Sequence, residues 1–77
     1  MKKIVTFEHL ETGRRLEVEF QVFQEDGHWV GKLRQTGADA EVKAPTFYGE
    51  TAEQAERQLR KLFYKDYEPV EERVTEQ

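Results

Sequence analysis

The chain has 77 residues, no cysteine and a net charge of −4. That length is about half of the roughly 150 residues usual for one domain, so one small domain with no second core is expected, and the missing thiols exclude disulfides, thiolate metal sites and a cysteine nucleophile. Only 36% of the residues are hydrophobic, no apolar run nears the roughly 18 residues of a membrane span, and Met1-Lys2-Lys3 leads to only Ile4 and Val5 before polar residues, so the expectation is a soluble cytoplasmic protein without a signal peptide.

The first strand is read from Lys3 to Leu10, with a turn at Glu11-Thr12-Gly13-Arg14. A two-residue loop at Thr12-Gly13, or a four-residue loop of the same centre, sets Val5 opposite Phe20 and Phe7 opposite Val18. In the second strand Leu16, Val18, Phe20 and Val22 alternate with Glu17, Glu19 and Gln21, the period of a strand buried on one face. Asp26-Gly27 is the dipeptide favoured in two-residue hairpins, because both positions need positive φ. A third strand then returns from His28 to Arg34. This turn pairs Val22 with Gly31 and Phe20 with Leu33 on the core face, where Trp29 also lies. The other face pairs Gln21 with Lys32, Glu19 with Arg34, and Phe23 with Val30. Ile4 and Leu10 share that outer face.

Beyond Gln35, Thr36 to Asp39 reads as a turn, and Ala40 to Ala44 as a short fourth strand that Pro45 limits to an edge. Thr46 to Gly49 reads as a connector. Thr51-Ala52-Glu53-Gln54 has the spacing of a capping box, so a helix begins at Ala52. Ala52, Ala55, Leu59, Leu62, Phe63 and Tyr67 form its inward stripe. The pairs Glu53 with Arg57 and Glu56 with Arg60 are read on its solvated side. Pro69 ends this helix or opens a short one; residues 69–77 are read as an acidic, frayed tail on a domain of residues 1–68.

Chemistry is sparse. His9 and His28 have no second ligand at a metal spacing, and Glu8, Glu17 and Glu19 lie on the wet face, where nothing raises a carboxylate pKa for general acid work. Neither a catalytic pair nor a cofactor or metal is expected, and the protein is read as no enzyme. Gly31, inside a strand on the core face, is read as the place where the helix or the Trp29 ring comes close. The outer face is more informative: Phe23 and Val30, with Ile4 near and Lys32 and Arg34 around, form an apolar spot rimmed by charge, as partner surfaces do.

The run Glu25-Asp26-Gly27-His28-Trp29-Val30-Gly31-Lys32-Leu33, followed by Tyr48-Gly49-Glu50-Thr51-Ala52-Glu53-Gln54-Ala55, resembles the HicB-type antitoxin domain over about residues 16–65. The resemblance implies a partial ribonuclease-H-like fold of three strands and a helix, and a non-catalytic binder of a small RNA-cleaving toxin. The chain departs from the family's pattern at Thr36 to Pro45, and no DNA-binding tail follows the helix.

The expected architecture is α+β, a three- or four-stranded antiparallel meander with one C-terminal helix on one face. The expected function is protein interaction, with a partner or with itself, through Phe23, Val30, Ile4, Lys32 and Arg34. The alternative is RNA binding by Lys and Arg residues of the same face, against which stands an isoelectric point near 5.2.

Overall fold

A computed structural model describes residues 1–35 and 45–77. Strands β1 (Lys2–His9), β2 (Arg15–Glu25), β3 (His28–Gln35) and β4 (Phe47–Gly49) precede helix α1 (Ala52–Lys61), and β5 (Tyr67–Glu76) follows it. The strands form one antiparallel sheet in the order β4-β3-β2-β1-β5. The α+β class holds, but the described sheet has five strands, and the helix is not C-terminal. The strand expected at 40–44 lies outside the described residues.

The β2–β3 hairpin adopts the expected register, with Phe20 on Leu33, Val22 on Gly31 and Phe23 on Val30. Asp26 and Gly27 take φ of 50° and 79°, the left-handed pair that a two-residue turn matched to strand twist requires. The β1–β2 register differs from expectation by two residues: Val5 pairs with Val18 and Phe7 with Leu16. The loop closes one position earlier than expected, at His9, whose amide donates to Arg14 O at 2.8 Å and whose carbonyl accepts from Gly13 N at 2.9 Å. The His9 side chain holds this turn, its Nδ1 accepting from the amides of Glu11 and Thr12, each at 3.2 Å. A shift of two keeps every side chain on its expected face, which is why alternation alone does not separate the two registers.

The helix starts where the capping residues place it. Thr51 Oγ1 accepts from Gln54 N at 3.1 Å, while Gln54 Oε1 accepts from Glu50 N at 2.9 Å, one residue earlier than in the usual capping box. Ten residues at about 1.5 Å each make a rod of about 15 Å. Strands lie about 4.8 Å apart, so this rod carries the chain across the inner face from the β4 edge toward β5 at the far edge. Its first turns rest on Gly31, where an added Cβ would meet Ala55 O at 2.9 Å. The contact expected there is therefore with the helix.

The core lies between sheet and helix: Val5, Phe7, Val18, Phe20, Val22, Ala55, Leu59 and Phe63, with Leu16, Trp29, Leu33, Phe47, Ala52 and Tyr67 packed around them. Phe63 stacks on Phe7 with ring centroids 4.3 Å apart. Leu62, expected in this stripe, is 46% exposed, because the helix ends at Lys61 and the chain turns toward β5.

The segment read as a tail from 69 onward forms most of β5. Its sequence lacks alternation because neither face of this strand is fully covered: Tyr67 is half-buried and the other residues are exposed. Backbone pairing to β1 holds it, with register shifts between Thr6 and Phe7 and between Lys2 and Lys3. Pro69, these bulges and a run of charges are what keep an exposed edge from pairing with another chain. No described helix is long and apolar enough to cross a membrane.

Candidate functional site on the open sheet face

Alternation sends the odd positions of β3 and the even positions of β2 to the helix and the intervening ones to the opposite face, over which no described element packs. The register sorts this open face into rows about 7 Å apart. Tyr48, Val30 and Phe23 form the first, on β4, β3 and β2. Lys32, Gln21, Lys2 and Glu76 form the next, then Arg34, Glu19, Ile4 and Arg73. Glu17, Thr6 and Glu71 follow, and Arg15, Glu8 and Glu68 close the series.

Phe23 and Val30 are therefore cross-strand neighbours as expected, and Lys32 and Arg34 share their face. Ile4 does not lie beside them. It pairs with Glu19, four residues along β2 from Phe23 or about 13 Å, because the β1 register is shifted by two. Val30, between Phe23 and Tyr48, is only 1% exposed, and Ile4 8%. Phe23 is half-buried, with Lys32 Nζ 5.6 Å from its ring centroid. The exposed aromatic surface of this row belongs to Tyr48, at 63%. Reading Thr46 to Gly49 as a connector missed it. The available signal was the inward Phe47 next to Tyr48, a two-residue alternation too short to stand out.

Beside Tyr48, an open depression of about 410 Å³ is lined by His28, Gly49, Glu50 and Gln54 as well. His28 and Glu50 are exposed there. Among the described residues no polar or charged side chain is fully buried, and no group of three or more His, Asp or Glu residues is placed to hold a metal ion.

The strongest electrostatic arrangement lies on the other side of the sheet. Arg60 donates through Nη1 to Glu72 Oε2 at 3.2 Å and through Nη2 to Glu72 Oε1, a forked pair, and its Nε lies 3.4 Å from Glu56 Oε2. Lys3 Nζ is 2.8 Å from Glu56 and 3.6 Å from Glu72. Glu56 and Arg60 thus face β1 and β5 rather than solvent, contrary to the sequence reading. The Arg60 hydrogen bond holds the Glu72 carboxyl below its ordinary range, against an opposing push from burial, and the same bond raises Arg60. The Arg60 guanidinium also lies 5.7 Å from the Phe20 ring centroid. This quartet fastens β5 to the helix.

Fold and site together define a small sheet-plus-helix domain with one face of the sheet uncovered by any described element. No family model, curated protein or solved structure matches the chain.

Proposed function

We propose that this chain is a non-enzymatic protein-interaction domain whose working surface is the open sheet face. The observation that carries the reading is the row Tyr48–Val30–Phe23, two aromatic side chains flanking an aliphatic one on a face that no described element covers. A sheet closed on one side by a helix needs only polar residues on the other. An aromatic row there serves contact with something else. An antitoxin-like role, with a small RNA-cleaving protein as the partner, is one form of this reading and rests on the resemblance of the hairpin and helix start to HicB-type domains.

A second reading, binding of single-stranded RNA, is favoured by Lys32, Lys2, Arg34 and Arg73 in the two rows next to the aromatics. The net charge of −4 weighs against it. The test is a photo-crosslinking amino acid placed at Tyr48 and, as a control, at Arg57 on the exposed side of the helix. A discrete protein adduct from position 48, absent from position 57 and lost with Phe23→Ser, is the expected result. Identical adduct patterns from both positions would overturn the reading.

A further inference from the structure

The cations of the open face differ in whether a carboxylate already holds them. Lys2 lies 3.5 Å from Glu76, and Arg15 lies 3.5 Å from Glu8. Glu19 stands opposite Arg34 in the register, yet it accepts from Gln21 Nε2 at 2.6 Å and makes no ion pair across the strands. Among the described residues, no carboxylate lies within ion-pair distance of Lys32 or Arg34. Both are exposed and two residues apart on β3, so they emerge on one face about 7 Å from each other. Lys32 Nζ sits 5.6 Å from the Phe23 ring centroid, which joins these cations to the row Tyr48–Val30–Phe23. On the other side of that row the sign changes: Glu25 pairs with His28 at the hairpin tip, and Glu50 lines the depression beside Tyr48. Arg73, also unpaired among the described residues, is three strands from Arg34, or about 14 Å.

Free positive charge is thus local, two positions long and on one side of the aromatic row. We infer that the open face takes a short acidic protein segment, its apolar side chain on Tyr48 and Phe23 and its carboxylates on Lys32 and Arg34; this rests on the reading of that face as the working surface. The Arg34 guanidinium offers a planar fork that matches a carboxylate. The Lys32 stem, laid toward Phe23, leaves its ammonium at the border of the apolar row. A segment extended roughly along β3, as strands of packed sheets run, presents every second side chain to the face at about 7 Å, the spacing of the rows. The fitting pattern is therefore an apolar residue with Asp or Glu two positions away and a second acid two further on. A nucleic-acid strand fits less well. It carries a charge at every nucleotide and would run from Lys32 into Glu25 and Glu50. It would also find Tyr48 as the one well-exposed ring of the row, since Val30 is 1% exposed and Lys32 Nζ sits over Phe23.

The test selects a random library of short linear peptides, displayed on phage, against the immobilised full chain and in parallel against Lys32→Glu with Arg34→Glu. Both residues are exposed, so the variant should keep the wild-type circular dichroism spectrum. Wild type should enrich peptides with an aromatic or aliphatic residue two positions from Asp or Glu, and the reversed variant should enrich Lys or Arg in place of those acids. The most enriched acidic peptide, synthesised and titrated into the full chain, should bind Lys32→Gln with Arg34→Gln about tenfold more weakly than wild type. Raising salt from about 0.1 M to 1 M, which shortens the Debye length from about 10 Å to 3 Å, should weaken its binding to wild type. Selection of neutral or basic peptides by wild type overturns the proposal, as does no enrichment at all or an acidic preference that survives the reversal. Tighter binding of a uridine oligonucleotide than of the acidic peptide, lost in the reversed variant, would also overturn it and assign the two cations to a polyanion. If the acidic preference fails while a specific protein adduct from position 48 persists, the partner chemistry is wrong and the interaction reading stands; if that adduct is missing as well, both fall.

Discussion

Gly31 ties a local sequence feature to the position of the whole helix. A Cβ there would come within 2.9 Å of Ala55 O and 3.3 Å of Ala55 C, both backbone atoms that cannot rotate away. Gly31→Ala should therefore cost about 1 to 3 kcal/mol, read from urea unfolding, although alanine is small and apolar. Leu59, fully buried above the same strands, should cost about 2 to 5 kcal/mol on change to alanine; a midpoint unchanged by Leu59→Ala would contradict the packing. On the open face, Val30 and Tyr48 part company. Val30→Thr buries a hydroxyl at a site 1% exposed and should cost about 1 to 3 kcal/mol, so it does not probe binding cleanly. Tyr48→Ser removes an exposed ring and should change stability by less than about 0.5 kcal/mol.

At the scale of elements, β5 is fastened differently from the strands it joins. Phe7 and Val5 of β1 are fully buried, whereas β5 contributes a half-buried Tyr67 and is held further by backbone pairing, the Glu72–Arg60–Lys3 contacts, the Glu76–Lys2 ion pair and the Thr75 hydroxyl donating to Lys2 O. Glu72 has a lowered folded-state pKa, caused first by the Arg60 hydrogen bond. A carboxyl of this kind stabilises fully above its unfolded pKa, 4.5, and its contribution disappears as pH falls through the lower folded value. Glu72→Gln should thus be destabilising at pH 7 by about 0.2 to 1 kcal/mol, the range for a partly exposed pair. The difference between variant and wild type should shrink toward zero in urea titrations at progressively lower pH below that range. A difference that is constant with pH would mean that the pair contributes packing rather than charge.

Over the described residues, helix α1 joins the two edges of the sheet and covers its middle, so stability should be layered. Amides of β2 and β3, under Ala55 and Leu59, should exchange with solvent only through global unfolding, whereas β5 amides should exchange through a smaller opening of lower free energy. Native-state hydrogen exchange in low denaturant checks this; a single opening energy for β2 and β5 would show that the edge strand unfolds only with the core. The same layering separates stability from recognition. The open face can be altered at Tyr48, Lys32 or Glu71 without touching the buried cluster.

Residues 16–34 and the start of the helix were legible from the sequence because they are governed by local chemistry. A two-residue turn at Asp26-Gly27 dictates its own register, one-sided burial imposes alternation on β2, and Thr51 with Gln54 satisfies free amides at the first turn. The remaining features depend on contacts between distant segments. The β1–β2 pairing could slide by two without moving any side chain to the wrong face, and the closing contacts at His9 settle it. The edge strands β4 and β5 were unreadable, one for its three-residue length and the other because it buries too little to show a period; the exposed edges of β3 and β1 make them strands by offering backbone partners. The candidate site shows the same division. That Phe23 and Val30 meet follows from the turn, whereas Tyr48 joining them and Ile4 lying elsewhere follow from which strand pairs with which, a long-range outcome that no window of sequence contains.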